Sequence, residues 1–267
     1  VKSEESGTRK SVSRSIEIID TLVRRGSLGV TELAETLDLS KSTVHAYLKT
    51  LEQHGFVVRD REKYRLALKL SLLGESVRNQ SRLFQVAREE IDALADETGL
   101  YAHLSAEENG RGINLYQVKG EEVERYDYQN RKVQQPEPLH MTATGKAILA
   151  SLSRPTVESI LDRHGLAPRT PHTITDRSTL FEELSTIADR GHAYNDEEEI
   201  DGFRAVGASI SRPSGEVLGA VSVSGPKSIL NGDRFRGASA EAVTRTANLI
   251  EVTLNMSNEY SFEPPNP

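Results

Sequence analysis

The stretch Ser40–Phe56, SKSTVHAYLKTLEQHGF, limits what this chain can fold into more than any other. Ser40 suits a helix N-cap, its hydroxyl placed to accept an amide that the first turn leaves unpaired. Val44, Leu48 and Leu51 fall at i, i+4 and i+7, one apolar stripe that has to face a core. The opposite side carries Ser42, His45, Ala46 and Lys49, with Lys41 and Thr43 in the first turn and no acid among them. A helix lying in a DNA major groove needs such a face, because it must approach base edges closely and sit among phosphates. Gly55 is expected to stop the helix and release the chain into a strand.

The flanking residues fit that expectation. From Ser13 to Arg25, Ile16, Ile19, Leu22 and Val23 have helical spacing, and Gly26 and Gly29 bracket a turn. Thr31 is expected to cap a short helix over 32–37, with Leu33, Ala34 and Leu37 inward. Asp38-Leu39-Ser40 then turns the chain into the opening helix, which makes a helix-turn-helix. Two alternating runs, Phe56–Arg59 and Tyr64–Leu68, read as a wing that offers Arg59, Arg61, Lys63 and Arg65 to phosphates. A winged module used for protein contact is the bland alternative.

Charge supports two bodies rather than one. Residues 1–80 hold 14 basic against 11 acidic side chains, a net of +3, whereas residues 81–267 hold 19 against 29, a net of −10. A mildly basic head on an acidic body suits a phosphate-facing module attached to something else. Arginine outnumbers lysine 23 to 10, which together with the plentiful acids would suit a high-salt cytoplasm. There is no cysteine, which removes disulfides, thiolate nucleophiles and Cys-based metal sites together. No apolar run is long enough to span a bilayer and the N-terminus has no signal-peptide core, so a cytoplasmic protein without a membrane partner is expected.

From Leu68 to Gly99 the pattern is helical, with interruptions expected near Gly74 and at Gln80–Ser81. Leu70, Leu72 and Leu73 leave apolar surface that either a homodimer seam or the second domain would cover. Beyond Gly99, strands are expected at 100–105, 112–118 and 123–128, and helices over 142–152, 155–164 and 176–190. A hairpin is expected over 204–211 and 216–224, and a last helix carries Val243, Ala247, Ile250 and Leu254. The fold class is α+β: a winged helix-turn-helix domain over 9–70, a connector helix over 71–99, a mixed sheet domain with helices on its face over 100–256, and a flexible tail over 257–267.

Here a resemblance becomes specific. Glu32-Leu33-Ala34, then Lys41-Ser42-Thr43-Val44-His45, then Leu48, Leu51, Glu52, Gly55 and Phe56 are similar to the N-terminal pattern of the IclR (isocitrate-lyase-regulator type) family of transcription factors. Three later islands resemble the same family's effector domain: His140–Ala150 (HMTATGKAILA), Gly191–Glu199 (GHAYNDEEE) and Gly219–Pro226 (GAVSVSGP). The resemblance runs from about Ser13 to Asn255. It implies a double-stranded DNA operator read by Ser40, Lys41, Ser42, Thr43, His45, Ala46 and Lys49, a homodimer or homotetramer, and a small organic, aromatic or sugar-derived acid as effector. Ala46 stands where many members have arginine, and Ala67 where a glycine is usual. The effector positions it implies are Ala143, Thr144, Gly145, Asn195, Ala205, Ser222 and Ser224. Several members have aspartate at the position of Asn195 and cysteine at that of Ala205.

The same positions have plainer readings. Amides near Ala143, Thr144 and Gly145 would form an anion seat at a helix start, yet serines such as Ser222 and Ser224 on a strand face are more often solvent-exposed. The acidic run Asp196–Glu199 could bind a cation but reads first as a solvated loop. Lys146 in ATGKA is no P-loop, since the first glycine is missing and Ala147 replaces the magnesium-binding Ser/Thr. No Gly-x-Ser-x-Gly, His-Glu-x-x-His or Gly-x-Gly-x-x-Gly occurs, and the seven histidines are scattered singly. A regulator rather than an enzyme is expected, with no cofactor and no metal. A DNA-tethered enzyme, or a sensor acting through protein contacts, is the alternative.

Overall fold

The computed structural model describes residues 9–126 and 136–259. The chain divides into two compact units, one running to Arg78 and the other starting at Asn79. The first unit contains α1 (Lys10–Arg25), β1 (Leu28–Gly29), α2 (Val30–Leu37), α3 (Lys41–Gln53), β2 (Val57–Asp60) and β3 (Lys63–Leu66). Ile18 and Leu22 of α1, Leu33 of α2, Val44 and Leu48 of α3, and Val57 and Tyr64 of the wing close one small core. Full burial of an aliphatic side chain contributes roughly 1.5–3 kcal/mol, so this set is what holds the three helices and the wing together.

Two local details differ from expectation. The wing strands begin and end one or two residues away from the expected runs, and they gain a third member. Leu28 and Gly29, expected as turn, pair antiparallel with Tyr64 and Lys63, giving the order β1-β3-β2. Thr31 is no cap either, because α2 already starts at Val30 with Gly29 as N-cap. Glu32 reaches back and accepts the Gly29 N–H at 2.7 Å, which satisfies the first orphan donor without a serine or threonine. As expected, Gly55 stops α3: the helix ends at Gln53 with His54 as C-cap, and Gly55 follows at φ 72°, a conformation glycine adopts freely.

Helix α4 (Lys69–Gln80) lies across the boundary between the units and runs through Gly74 without a break. A single glycine costs about 1 kcal/mol relative to alanine, too little to stop a helix by itself. The expected break at Gln80–Ser81 is present, and the Ser81 hydroxyl caps α5 (Arg82–Thr98). None of the residues of α4 is buried, and Leu68 just before it with Leu72, Leu73 and Val77 forms an exposed apolar stripe.

The second unit is built on a six-stranded antiparallel sheet of order β6-β5-β4-β9-β8-β7. Its strands are β4 (Tyr101–Glu108), β5 (Arg111–Lys119), β6 (Glu137–Pro138), β7 (Ala193–Asp196), β8 (Phe203–Ser211) and β9 (Val217–Pro226). One face presents Ala102, Leu104, Val206, Val221 and Val223 to α5 and to the last helix, α9 (Ser239–Glu259), and this is the main core. The other face receives α6 (Ala143–Ser151), with α7 (Arg154–His164) and α8 (Arg177–Arg190) behind it in a second core. Val243, Ala247, Ile250 and Leu254 are all buried, as their spacing required.

The strand expected over 123–128 is absent as far as residue 126. The chain instead makes a 3-10 turn at Glu121–Val123, and Asp127 and Tyr128 lie outside the described residues. Close packing forces the turn: a Cβ on Gly120 would collide with the Gly99 carbonyl group, and the Tyr101 hydroxyl donates to the Val123 and Tyr126 carbonyls. The short strands β6 and β7 were not expected from the sequence. Among the described residues no helix is long and apolar enough to cross a membrane.

Candidate functional site

In the first unit, α3 is placed by its apolar stripe and by its cap. Ser40 Oγ accepts the Thr43 N–H at 3.1 Å and shares hydrogen bonds with Ser42 Oγ at 2.9 Å and Thr43 Oγ1 at 2.7 Å. The three hydroxyls therefore form one cluster at the positive end of the helix. Lys41, Ser42, His45, Ala46 and Lys49 are exposed along one side, and Thr43 is half-buried. Val44, Leu48 and Leu51 are buried on the other.

The wing cations are less free than their sequence implies. Arg59 donates through Nε to the Arg61 carbonyl at 2.8 Å and stands 3.7 Å from Glu62. Lys63 Nζ is 3.6 Å from Glu32 Oε2, the same carboxylate oxygen that caps Gly29. The Gly29 amide first, and then Lys63, hold the Glu32 carboxyl below its ordinary range. Arg61 occupies the tip of the wing at φ 56° and is exposed. Gly29, Glu32, His45, Arg59, Lys63 and Tyr64 are among the residues that line a cleft of about 440 Å³ between α2, α3 and the wing.

In the second unit, strand pairing brings the distant islands onto one face. Directly opposed residues in an antiparallel sheet point to the same side. One rung reads Ala193, Gly207, Ser222, His103, Gln117, and the next on the same face reads Asn195, Ala205, Ser224, Tyr101, Lys119. Helix α6 starts on this face: a Cβ on Gly207 would lie 2.8 Å from the Ala143 carbonyl carbon and 3.0 Å from Thr144 N. Only a glycine at 207 lets the helix N-terminus come that close to the strand. Ala143, Thr144, Asn195, Ala205, Ser222 and Ser224 thus converge from four elements, α6, β7, β8 and β9.

The structure removes the plainer reading of Ser222 and Ser224 and adds detail to the helix start and to Asn195. Ser222 and Ser224 are not solvent-exposed; both are buried, and Ser224 Oγ is 2.8 Å from His103 Nε2. The anion seat has fewer open donors than expected, because Thr142 Oγ1 accepts the Gly145 N–H at 3.0 Å and caps α6. Asn195 is held at both ends of its amide: Nδ2 donates to the Met141 carbonyl at 2.8 Å, and Oδ1 accepts the Glu198 N–H at 2.9 Å. Its geometry makes it a strap between β7, the turn before α6 and the acidic loop.

That acidic loop is not solvated either. Glu198 and Glu199 are 7% and 5% exposed. Glu198 is buried over Lys146, itself buried on α6, whose Nζ stands 2.6 Å from Glu198 Oε1 and 3.6 Å from Glu183. Thr170 Oγ1 donates to the Glu197 carbonyl at 2.7 Å and Thr173 Oγ1 to that of Glu198 at 2.6 Å, while Asp196 pairs with Arg204 at 2.7 Å. Burial pushes the Glu198 carboxyl up, and the neighbouring Lys146 opposes that rise. Burial likewise holds the His140 imidazole below its ordinary value, and its Nε2 lies 3.2 Å from the Ala167 carbonyl. Among the described residues no group of three or more His, Asp or Glu side chains is arranged to hold a metal ion.

Sequence reasoning singled out neither His103 nor the Lys146–Glu198 pair. His103 had a usable signal: on a strand alternating through Ala102 and Leu104, it sits in phase with Tyr101 and Ser105. Lys146 had none, since nothing in the sequence near it marks a partner 52 residues away.

The comparisons with known proteins agree with this architecture. Residues 11–61 match the IclR helix-turn-helix domain, and residues 76–252 match the C-terminal domain of the bacterial transcriptional regulator IclR. The chain is 39% identical over 245 residues to the probable HTH-type transcriptional regulator ArcR of Halobacterium salinarum, covering 91% of this chain and 93% of that one. It is 30% identical to the HTH-type transcriptional regulator XynR of Escherichia coli, covering 80% and 85% of the two chains. The crystal structure of Thermotoga maritima IclR superposes with a TM-score of 0.73 at 28% identity, over 91% of this chain and 98% of that one. With a helix-turn-helix unit and a sheet unit that both match across most of their length, this chain belongs to the IclR family of DNA-binding transcriptional regulators.

Proposed function

We propose that the chain binds operator DNA through α3 and its wing, and that a small organic acid bound on the polar face of the second unit controls that binding. Ser42, Thr43, His45 and Ala46 are the base-facing positions, with Lys41, Lys49, Arg59, Arg61 and Lys63 towards phosphates; Ser40 acts through its cap. The observation that carries the effector reading is the start of α6 resting on Gly207 beside the buried Ser222 and Ser224. Helix-start amides favour an anion, and buried hydroxyls supply the directional hydrogen bonds that an effector pocket needs. A bound crystal structure supports the ligand class by analogy of fold: an IclR homologue from Microbacterium hydrocarbonoxydans was solved with 4-hydroxybenzoate, at 21% identity and a TM-score of 0.77. Organic, aromatic and sugar-derived acids are all candidate effectors, with control of a catabolic pathway as the expected setting.

The apolar stripe Leu68, Leu72, Leu73 and Val77 suits a homodimer or homotetramer, which would present two heads to adjacent half-sites. An effector coupling of about 1–3 kcal/mol would suffice to switch such binding. Genome-wide occupancy mapping tests the reading, because regulated neighbours of the bound sites name the pathway and hence the acid. Duplex binding that is absent, or that ignores salt between about 50 and 200 mM, would overturn it, since phosphate contacts require a steep salt slope.

A further inference from the structure

His103 stands on the central strand β4, buried to 3% exposure, directly across from Ser222 and one rung from Ser224. Its neighbours Ala102 and Leu104 point to the opposite face and fill the main core with apolar atoms. A ring that served only to fill space here would be cheaper as leucine or phenylalanine, because a buried imidazole must have its hydrogen bonds satisfied. The sheet instead places Nε2 at 2.8 Å from Ser224 Oγ, joining β4 to β9 through side chains as well as backbone.

We propose that His103 is a specificity-determining residue of the effector site, setting whether Ser224 acts towards an effector as hydrogen-bond donor or acceptor. This rests on the effector reading given above. A serine hydroxyl has one proton and two lone pairs. When Nε2 carries the ring proton, it donates to Ser224 Oγ, and the serine proton is directed onward to an acceptor such as a carboxylate or carbonyl oxygen. When Nε2 is bare, Ser224 donates to it, and the serine presents only lone pairs, which match a ligand hydroxyl. The imidazole thus acts through Ser224, and small acids that differ by one hydroxyl are the molecules it tells apart. A site whose buried polar groups are matched to one such pattern discriminates strongly against a ligand that leaves them unpaired.

The test is isothermal titration of the full-length protein with two matched pairs of acids, acetate with glycolate and benzoate with 4-hydroxybenzoate. The variants are H103F, H103Q, S224A and H103F/S224A, with circular dichroism as the check on folding. For the wild type, at least one acid binds, and the members of its pair differ in affinity. In H103F that ratio changes by about tenfold, one hydrogen bond's worth. H103Q, which keeps a donor and an acceptor, returns it towards the wild-type value. H103F/S224A shows no further change beyond S224A, because the two side chains work as one unit. A merely structural role would weaken all acids alike and leave the ratio where it was, which would overturn the inference. If H103F does not fold, S224A and H103Q decide: an S224A ratio equal to wild type overturns it while leaving the effector reading intact. Failure of the wild type to bind any of the four acids overturns the inference, which requires a small acid of this kind beside Ser224, and leaves sugar-derived acids as the effector class of the reading it rests on.

Discussion

The two units use polar side chains in opposite ways. On α3 most polar residues stand in solvent, the hydroxyls are linked at the cap, and Lys41, His45 and Lys49 are exposed. On the sheet face of the second unit the polar residues are buried and locked: Asn195 at both ends, Ser224 to His103, Lys146 to Glu198. The first arrangement costs little in stability and can exchange water for DNA. The second must be complete in the folded protein, because each buried polar group left alone is expensive. Substitutions on the first face should therefore change function and spare stability, while those on the second should cost stability first.

The largest effect is expected at Lys146. Replacing it by methionine keeps the volume but leaves the buried Glu198 carboxylate without its cation, and removing one partner of a buried pair costs about 3–5 kcal/mol. Urea denaturation followed by circular dichroism measures this. Part of the loss should be recovered by K146M/E198L, which removes both charges. It should also shrink in K146M as pH falls towards the raised Glu198 pKa, because a neutral carboxyl no longer needs the ammonium. A K146M protein within about 1 kcal/mol of wild type would mean that the pair is not held as described.

Next comes Gly207→Ala. The added Cβ would meet backbone atoms of Ala143 and Thr144, which cannot rotate away, so α6 must shift off the strand. Overpacking of this kind costs about 1–3 kcal/mol. Denaturation gives the stability, and titration with the acid that the wild type binds should show a matching loss of affinity. Loss of stability with full affinity would separate the start of α6 from the effector site.

These two cases also show why the head was more legible in the sequence than the sensor face. Each element of the head is decided locally: α3 has its cap, stripe and stop within Ser40–Gly55, so both its position and its exposed face follow from neighbours in sequence. Even there, β1 escaped notice because its two residues find their partners at Lys63 and Tyr64. The face of the second unit is made by pairing across long separations, Ser224 with His103 and Lys146 with Glu198. Nothing in the acidic run Asp196–Glu199 distinguishes a solvated loop from one buried over a lysine. The family resemblance placed Ala143, Thr144, Asn195, Ala205, Ser222 and Ser224, and the sheet brings them together. Only the folded structure shows that Asn195 is a strap and that His103 joins Ser224.

Ser40→Ala should give a smaller loss. The cap hydrogen bond to Thr43 N disappears, and helix caps of this type contribute about 1 kcal/mol. Because Ser40 Oγ also orients Ser42 and Thr43, duplex binding should weaken along with the melting temperature. A variant that melts earlier yet binds DNA as well as wild type would show that the hydroxyl cluster does not position the base-facing residues.

The smallest effect on stability, within about 0.5 kcal/mol, is expected for Lys49→Ala, an exposed position on a helix that alanine favours. Its effect on binding should nonetheless be clear. A lysine facing phosphate releases about one counterion on binding, so losing it weakens every duplex to a similar degree and lowers the salt slope by about one. Ser42→Ala is the contrasting variant, since a base-facing hydroxyl should alter preference among sequences and leave the slope alone. Both are measured by titrating operator and scrambled duplexes at several salt concentrations. If Lys49→Ala changed preference while Ser42→Ala changed the slope, α3 would be rotated relative to the duplex from the orientation argued above. If both variants lost stability by more than about 1 kcal/mol, well beyond the range usual for surface positions, the exposed face of α3 would be holding the head together, and the contrast between the two units would fail.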